Sequence, residues 1–583
     1  MKVCLAQINT TPGDFDGNFE KIIAGIDIAN ENQCDVIVFP ELSIPGYLSQ
    51  DLVYNPAYIE RNLSVLDEII RYTMSCHAGL HVVAGYIEEN KGAGKPFFNM
   101  AAVIAGGKLL AGYRKQLLPF YDVFDELRYY EPGKELTIVE IAGKSVGIAI
   151  CEDLWNDKDS DDYHYEGNPL TRYREQGVDV ILSLNSSPYV HAKALKRIGV
   201  IAPGVESSVS VVYVNQCGGQ DELVFDGQSF VLHQGNLLHL CTNVGEDTYD
   251  VVDLDTASPL VADVVKHGNL LQQHCVGLFD LLVLCLRDYM QKSGFTQAVV
   301  ASSGGVDSAV VCKIACAAVG PANVHAIRMP SIFSSDHSRL DAVQLHENLG
   351  CWDYEVPIDH ESTLMELNRR FMLNEHPDNL VNRVMSQNSY ASVADENIQA
   401  RLRDLYVMHF SNAYGAMPLS TGNKTESACG YYTHFDMNFS FAPIKDLYKF
   451  QVMDIAGKHP DIPENIWQKP PSAELARDQT DESSLLPYSI LDPIVRAHVE
   501  DYVSTFDGFS EWVQALKDVE KISGNIDELL FWLDSESAVV DFNRILSLIG
   551  KMEYKRRQTC PGTKVSKVAF GIGRRIPIVE KWS

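Results

Sequence analysis

Residues 298–308 join an apolar run to a helix-period segment through a loop of small residues. The loop reads Ser302-Ser303-Gly304-Gly305-Val306-Asp307-Ser308. Two adjacent glycines allow a sharp turn that points backbone N–H groups inward, and the start of the following helix adds partial positive charge. The pattern therefore predicts a phosphate-binding loop between a strand and a helix. The loop has no Lys at the Walker position, which distinguishes it from the P-loop of kinase-type enzymes.

The length, charge and cysteine content of the chain limit its domain number, its binding partners and its cellular compartment. A chain of 583 residues is expected to contain several domains, because single cores stop growing near about 250–300 residues. The net charge of −30 argues against binding to nucleic acid or to an anionic membrane. The 13 cysteines include no paired CxxC motif, which favours a reducing compartment and argues against a disulfide framework or a structural zinc site. Polar residues at the N-terminus, and the lack of any apolar run of ~18 residues, predict a cytoplasmic protein without a signal peptide or membrane span.

Both halves of the chain alternate short β-rich runs with helix-period segments, which predicts an α/β fold. We expect a first domain at residues 1–260, a linker at 261–275 and a second domain at 276–583. The predicted strands are 3–8, 36–39, 82–86, 100–105, 145–150, 180–184, 209–214, 298–301, 324–329, 352–356 and 418–420. The clearest predicted helices are 18–30, 62–75 and 274–292.

Three segments of the first half place reactive side chains beside apolar runs. Glu41 follows an apolar strand, Lys115 lies in the otherwise apolar segment 112–119, and Cys151 ends the run 146–150. Strand carboxyl ends are where α/β folds assemble their sites. Each residue also has a purely structural interpretation: Glu41 as a cap, Lys115 as a surface charge with a packed stem, and Cys151 as inert core.

In chain order the three segments read Phe-Pro-Glu-Leu, Tyr-Arg-Lys-x-x-Leu-Pro and Ile-Cys-Glu-Asp-Leu-Trp. Together they resemble the nitrilase, or carbon–nitrogen hydrolase, superfamily, whose triad is Glu, Lys and Cys. The resemblance implies that Glu41 takes the thiol proton and that Cys151, as a thiolate, attacks an amide carbonyl to form a thioester. Lys115 would stabilise the oxyanion, and ammonia would be released.

Further segments resemble the glutaminase domain of glutamine-dependent NAD synthetases. They are Tyr-Asp-Val-Phe-Asp-Glu at 121–126, Ser-Ser-Pro at 186–188, and Gly-Gly-Gln-Asp-Glu-Leu-Val-Phe-Asp-Gly at 218–227. By this resemblance Tyr121, Ser187 and Lys193 contact glutamine. Tyr47 would belong to the same pocket, and Glu126 would order the site near the nucleophile. The fold implied for this domain is an α-β-β-α sandwich.

The second half resembles the same family. The Ser-Gly-Gly-x-Asp-Ser loop is similar to the pyrophosphate loop of ATP-pyrophosphatases, which split ATP into AMP and pyrophosphate while they adenylate a substrate. Segments 396–403 (Glu-Asn-Ile-Gln-Ala-Arg-Leu-Arg) and 420–426 (Ser-Thr-Gly-Asn-Lys-Thr-Glu) match NAD synthetase signatures. The resemblance implies a doubly wound, Rossmann-like parallel sheet. The implied ATP-binding residues are Ser302, Ser303, Gly304, Gly305, Val306, Asp307, Ser308, Arg328 and Thr421. The implied residues for the dinucleotide substrate are Asn397, Arg401, Glu426, Asp436 and Lys555.

A magnesium ion is also implied, with Asp307 and Glu426 as its ligands. Mg²⁺ in such sites bridges phosphate oxygens and is held by one or two carboxylates. On the helix predicted at 396–403, Ile398, Leu402 and Leu405 would share one face, while Asn397 and Arg401 would lie on another.

Three segments near the C-terminus bear on substrate binding. The charged, Pro-containing residues 469–486 predict a loop, which the family uses as a flap over the adenylate. Residues 551–583 contain nine Lys or Arg against two Asp or Glu. This basic segment is either a solvated tail or a phosphate contact, and the resemblance places Lys555 at the substrate. Segment 434–441 lacks two glycines that the family has, which bears on substrate choice.

The resemblance implies a ligase that converts nicotinic acid adenine dinucleotide to NAD with ammonia from glutamine. The reaction would pass through an acyl-adenylate and release AMP and pyrophosphate. One alternative keeps this chemistry on nicotinic acid mononucleotide or another carboxylate, and a second is an inactive scaffold or metabolite sensor. Relatives imply a homo-oligomer, a dimer through the synthetase domain and possibly an octamer.

Overall fold

The computed structural model describes residues 1–155, 165–205, 209–267, 274–371, 393–433, 439–469, 474–475, 485–516, 523–571 and 573–574. The chain forms two compact units, Met1–Leu284 and Cys285–Ser583. Their boundary falls inside a helix, Leu278–Lys292, and lies C-terminal to the predicted linker. Among the described residues, no helix combines the length and apolar character that crossing a membrane requires.

The first unit alternates strands and helices along its sequence. Its described strands are β1 (Lys2–Gln7), β2 (Val36–Val38), β3 (His81–Glu89), β4 (Phe97–Ala105), β5 (Lys108–Arg114), β6 (Ile138–Ile141), β7 (Lys144–Ile150), β8 (Val180–Asn185), β9 (Ser210–Asn215), β10 (Cys217–Gln220), β11 (Leu223–Asp226), β12 (Phe230–His233), β13 (Asn236–Leu240) and β14 (Thr248–Asp253). Its described helices are α1 (Phe15–Glu31), α2 (Pro56–Tyr72), α3 (Pro169–Glu175), α4 (Lys193–Ile201), α5 (Val264–His267) and α6 (Leu278–Lys292), the last of which crosses the boundary.

Two sheets with strand orders β14-β1-β2-β3-β4-β5 and β13-β12-β9-β8-β7-β6 build this unit. Strands β1 to β3 are parallel in the first sheet, as are β7 to β9 in the second. The sheets pack face to face through apolar side chains such as Val38 and Ile148. Helices α1 and α2 cover the outer face of the first sheet, and α3 and α4 cover the outer face of the second. The predicted α-β-β-α sandwich is therefore confirmed.

The second unit contains a smaller, all-parallel sheet and many helices. Its described strands are β15 (Ala298–Ala301), β16 (Val324–Arg328), β17 (Trp352–Glu355) and β18 (Met417–Leu419). Its described helices are α7 (Val306–Val319), α8 (Asp336–Leu349), α9 (His360–Phe371), α10 (Val393–Tyr414), α11 (Lys424–Cys429), α12 (Lys449–Lys458), α13 (Glu464–Gln468), α14 (Tyr488–Asp501), α15 (Phe506–Ala515), α16 (Ile526–Leu533), α17 (Ala538–Lys551) and α18 (Glu553–Arg556).

The strand order of this sheet is β17-β16-β15-β18, with every pair parallel. The chain steps outward from β15 to β16 and β17 and then returns to the other side of β15. The order therefore reverses between β15 and β18, and ligands of open α/β sheets bind at such a switch point. The predicted doubly wound sheet is confirmed, and the glycine-containing loop starts at this point.

The fully buried residues of helix α10 lie outside the apolar face formed by Ile398, Leu402 and Leu405. Gln399, Ala400 and Val407 are buried, whereas Leu405 is 59% exposed. The helix packs against β15 and β18, and Val407 belongs to the apolar cluster that includes Val299 and Ala301 of β15. Apolar periodicity therefore does not mark the most buried side of this helix.

Candidate active sites

Glu41, Lys115 and Glu126 form a buried charge cluster in the first unit. Lys115 directly follows β5, and Glu41 comes shortly after β2. Lys115 Nζ donates to Glu41 Oε1 at 2.7 Å and to the two carboxylate oxygens of Glu126 at 2.9 and 2.8 Å. The Lys115 and Glu41 side chains are 0% exposed, so each charge is compensated by protein groups rather than by water. The structure thus brings these three predicted residues together.

Two further groups orient Glu41. Asn99 Nδ2 donates to Glu41 Oε1 at 2.8 Å, and the Ser186 N–H donates to Glu41 Oε2 at 3.2 Å. Ser186 Oγ also donates to the main-chain oxygen of Glu41, at 3.1 Å. The prediction from sequence named neither residue in these roles. The one available signal for Asn99 was an amide within the otherwise apolar strand β4.

Cys151 is the first residue after β7 and begins a 3-10 turn, Cys151–Leu154. Its φ angle is 45°, in the left-handed region that a residue with a side chain adopts only where the surrounding fold requires it. The residue is buried. The chain therefore turns sharply at the carboxyl end of a buried strand, which is where the sequence places the candidate nucleophile.

A single buried carboxylate, Asp153, fixes this turn. Its Oδ2 accepts hydrogen bonds from the Ile150 N–H at 2.9 Å and from the Tyr113 hydroxyl at 2.8 Å. Its Oδ1 accepts from the main-chain N–H groups of Gln116 and Leu117, at 3.1 and 2.9 Å. Asp153 therefore ties the turn that carries Cys151 to the segment that follows Lys115.

The cluster also sets the protonation states of its members. Burial alone would lower the pKa of Lys115, but Glu126 and Glu41 raise it well above its ordinary value, so the ammonium persists. Burial raises the pKa of Glu126 above its ordinary value, and the Lys115 ammonium opposes that rise. Burial and the charge of Glu41 raise the pKa of the Cys151 thiol well above its ordinary value, against the opposing effect of Lys115. The thiol is therefore protonated at neutral pH and needs a base before it can act as a nucleophile.

The residues predicted to contact glutamine make contacts of different kinds. The Tyr47 hydroxyl donates to Glu126 Oε1 at 3.0 Å, and the Tyr121 hydroxyl donates to Glu152 Oε1 at 2.9 Å. Lys193 Nζ lies 5.7 Å from the centroid of the Trp155 ring, close to the end of the Cys151 turn.

Ser187 follows Ser186, which is a hydrogen-bond partner of Glu41, and the main chain of Ser187 is held by two side chains. The Ser187 N–H donates to Asn215 Oδ1 at 2.9 Å, and its carbonyl accepts from Arg197 at 2.8 Å. Both serines directly follow β8.

In the second unit, a cavity of about 750 Å³ opens at the switch point of the sheet. The predicted residues that line it are Ser302, Ser303, Gly305, Val306, Asp307, Ser308, Arg328, Asn397, Thr421, Glu426 and Lys555. Gly304 lies behind this surface, with a φ of +79°, and an added Cβ would lie 2.1 Å from the main-chain oxygen of Ser338. Gly304 therefore contributes a left-handed turn and close packing against α8 instead of a lining surface.

Asp307 and Glu426 converge on one ammonium group. Lys449 Nζ forms ion pairs with both carboxylates, at 3.5 Å from Glu426. Asn423 Nδ2 donates to Asp307 Oδ1 at 3.0 Å, and both carboxylates line the cavity. Two carboxylates that face one positive charge supply the oxygen ligands that Mg²⁺ prefers, so these residues fit the implied ion. Lys449 was not predicted from the sequence, because it lies 142 residues from Asp307 and no local pattern links the two.

A buried histidine supports the first residue of the loop. His346 Nε2 lies 2.8 Å from Ser302 Oγ, and His346 Nδ1 lies 2.6 Å from Asp353 Oδ1. Arg328 donates to both oxygens of Asp353, at 2.7 and 2.8 Å. Burial lowers the pKa of His346 despite the opposing effect of Asp353, so the ring is neutral at neutral pH. We assign the ring N–H to the Asp353 side, which leaves Nε2 to accept from the Ser302 hydroxyl.

Two of the residues predicted to bind the dinucleotide lie in the cavity wall with polar contacts. Asn397 Oδ1 accepts a hydrogen bond from Thr433 Oγ1. Lys555 Nζ donates to the carbonyl oxygens of Gly430 and Tyr432, at 2.7 and 2.8 Å.

Arg401 is exposed and is not a lining residue, so the structure does not bring it to the cavity. Arg403 lines the cavity instead, and its Nε donates to the Met329 carbonyl at 3.1 Å. The two arginines are about 200° apart around α10, because each helical residue adds about 100°. Asp436 and most of segment 434–441 lie outside the described residues, as does most of the predicted flap at 469–486.

Family models match both units. The carbon-nitrogen hydrolase model matches residues 2–257, and the NAD synthase model matches residues 278–528. The fold and the two sites thus define a ligase that carries its own amide-hydrolysing domain.

Relatives match along the whole chain. They include the glutamine-dependent NAD(+) synthetase of Thermotoga maritima, which is 35% identical, with 100% of this chain and 99% of that protein covered. The corresponding protein of Aquifex aeolicus is 34% identical, with 100% of each covered. The solved structure of the glutamine-dependent NAD+ synthetase from Acinetobacter baumannii in complex with ADP is 29% identical and has a TM-score of 0.69, with 100% of this chain and 99% of that chain covered. The chain belongs to the family of glutamine-dependent NAD(+) synthetases. The predicted enzyme class, a carbon–nitrogen ligase with glutamine as amide donor, is confirmed.

We expect Cys151 to react slowly with iodoacetamide at neutral pH, at a rate that still rises above pH 9.0, the ordinary pKa of a thiol. The thiolate is the reactive form, and burial with Glu41 holds the pKa of this thiol high. Mass spectrometry of the alkylated peptide across pH measures the rate. Glu41→Gln removes one of the charges that raise this pKa and should move the profile to lower pH. A wild-type rate that levels off below pH 8 would contradict the expectation.

We expect His346→Ala to raise the ATP concentration needed for half-maximal activity by about fivefold. The substitution removes the acceptor that orients the Ser302 hydroxyl, and one such hydrogen bond contributes about 1 kcal/mol. Steady-state kinetics with the other substrates saturating measure the effect. His337→Ala, at an exposed position on the same helix, is the matched control. Equal ATP dependence in the two variants would exclude a role for the His346 contact.

Proposed function

We propose that this enzyme amidates nicotinic acid adenine dinucleotide to NAD, with Mg-ATP as the activating substrate and glutamine as the ammonia source. The observation that carries this proposal is a cavity whose wall includes the glycine-containing loop together with Asn397 and Lys555. One cavity could then hold the phosphates of ATP and the carboxylate of the dinucleotide together.

In the proposed glutaminase reaction, Glu41 takes the thiol proton of Cys151 and the thiolate attacks the side-chain carbonyl of glutamine. The oxyanion that forms is stabilised by the Lys115 ammonium. Glu41 then returns the proton to the leaving nitrogen, ammonia departs, and a thioester remains. Water hydrolyses the thioester to give glutamate and regenerate the thiol. Glu126 supports these steps because it keeps Lys115 charged and in place.

In the proposed synthetase reaction, an oxygen of the nicotinate carboxylate attacks the α-phosphorus of ATP. The bond from the α-phosphorus to the bridging oxygen breaks, and pyrophosphate departs toward the N–H groups of the loop. Ammonia then attacks the carbonyl carbon of the acyl-adenylate. AMP leaves with the former carboxylate oxygen, and the amide is NAD. A carboxylate is a poor electrophile, and AMP provides it with a good leaving group.

We assign Asp307 and Glu426 as the residues that would hold Mg²⁺. The ion, when bound, would offset the negative charge of the phosphates. Lys449, which pairs with both carboxylates, would contribute a fixed positive charge to the same region. The homo-oligomer and the cytoplasmic location stay predictions.

We expect Cys151→Ala to lose glutamine-dependent NAD formation while it keeps activity with added ammonium. The thiol is required only to release ammonia, and the synthetase reaction uses ammonia from either source. NAD formation with each nitrogen donor, measured by mass spectrometry, tests the division of labour. Loss of both activities in a variant with the wild-type Tm would overturn it.

The acyl-adenylate is tested by isotope transfer. Nicotinic acid adenine dinucleotide labelled with ¹⁸O in both carboxylate oxygens should yield AMP that carries one ¹⁸O and pyrophosphate that carries none. The attacking oxygen becomes part of AMP when ammonia displaces it. If ADP and labelled inorganic phosphate formed instead, the intermediate would be an acyl phosphate and the proposal would be wrong.

A further inference from the structure

Three side chains able to bind metal ions converge at one edge of the N-terminal sandwich. His239 lies on β13, Cys241 directly follows this strand, and Asp250 lies on β14. His239 Nε2 is 2.8 Å from Asp250 Oδ2, and Cys241 Sγ is 2.9 Å from the same oxygen. All three ligand atoms lie within 4.8 Å of one another.

The topology holds these residues on paired backbone. β13 is an edge strand of the second sheet, and β14 is an edge strand of the first. His239 and Cys241 are two residues apart on extended chain, so their side chains point to the same side. The Cys241 N–H donates to the Ser229 carbonyl at 2.8 Å, and Asp250 is paired with Leu5 on β1. Hydrogen-bonded main chain therefore fixes the position of the candidate ligands from β13 and of the one from β14.

The donor set is typical of zinc. Imidazole nitrogen, thiolate sulfur and carboxylate oxygen are the three kinds of ligand that Zn²⁺ takes in proteins. A neutral imidazole, a thiolate and a carboxylate together balance a divalent charge. The His239 and Asp250 side chains are 30% and 33% exposed, whereas Cys241 is buried, so an ion has access from solvent with the thiol at the base of the site.

We propose that His239, Cys241 and Asp250 bind one divalent transition-metal ion of the zinc type, with water in the fourth tetrahedral position. Without the ion, Asp250 Oδ2 accepts hydrogen bonds from the ring and from the thiol. On binding, the ion replaces the thiol proton, which is released, and the imidazole presents the Nε2 lone pair with its proton on Nδ1.

The proposed ion connects the two sheets. Lys115 follows β5, at the opposite edge of the first sheet from β14, so the ion stabilises the open edge of the sandwich and takes no part in amide hydrolysis. The lack of a paired CxxC motif argued against structural zinc, but this site has a single cysteine and takes its other ligands from two strands.

Cobalt(II) titration of the full-length, chelator-treated protein tests the proposal. We expect saturation at one Co²⁺ per chain, with a thiolate-to-cobalt charge-transfer band and the visible bands of a tetrahedral ion. Added Zn²⁺ should displace Co²⁺ and abolish the charge-transfer band and the visible bands. Cys241→Ser should lose the charge-transfer band, and Asp250→Asn should weaken Co²⁺ binding at least about tenfold.

Cys76→Ser is the matched control, because Cys76 is a half-buried cysteine of the same unit outside the cluster. It should keep the band. The absence of stoichiometric Co²⁺ binding, or a band that survives in Cys241→Ser, would overturn the proposal and leave a hydrogen-bonded cluster. Equal Tm values in EDTA would show that the variants fold. The readout does not involve NAD synthesis, so its failure leaves the proposed function unaffected.

Discussion

The Lys115 ammonium between Glu41 and Glu126 is the interaction on which the N-terminal site depends. All three charges lie where water does not reach them, so each is tolerable only while the other two are present. Removal of one partner from such a group costs about 3–5 kcal/mol. The ends of β2 and β5 and the turn at Glu126–Arg128 must therefore be assembled together, and the geometry near Cys151 follows from that assembly.

The residues that end apolar strands were predictable from the sequence, whereas those that orient them were not. Glu41, Lys115 and Cys151 each follow or end a recognisable apolar run. Asn99 lies 58 residues from Glu41, and Ser186 lies 145 residues from it. Their roles arise only when distant strands come together in the sandwich, and no local pattern encodes that proximity.

In the second unit, too, the residues with a local sequence signal were predictable and the residues that support them were not. The loop at 302–308 was predictable because two adjacent glycines between a strand and a helix are a local signal. Lys449 and His346 reach the loop from α12 and α8, and only the folded chain reveals them. On α10 the fully buried residues Gln399, Ala400 and Val407 lie outside the apolar stripe, because the packing of the helix against β15 and β18 decides which side is buried.

The four hydrogen bonds accepted by Asp153 restrict how the chain can diverge. Three come from main-chain N–H groups, which any substitution other than proline leaves in place. Asn would replace one acceptor oxygen with a donor, and Glu would add a methylene at a position that is 0% exposed. Leu117 lies 36 residues from Asp153, yet a length change in either segment breaks bonds in the other. An insertion or deletion in the segment after Lys115 would therefore have to be matched by a change in the turn at Cys151–Leu154 for both to be kept in evolution.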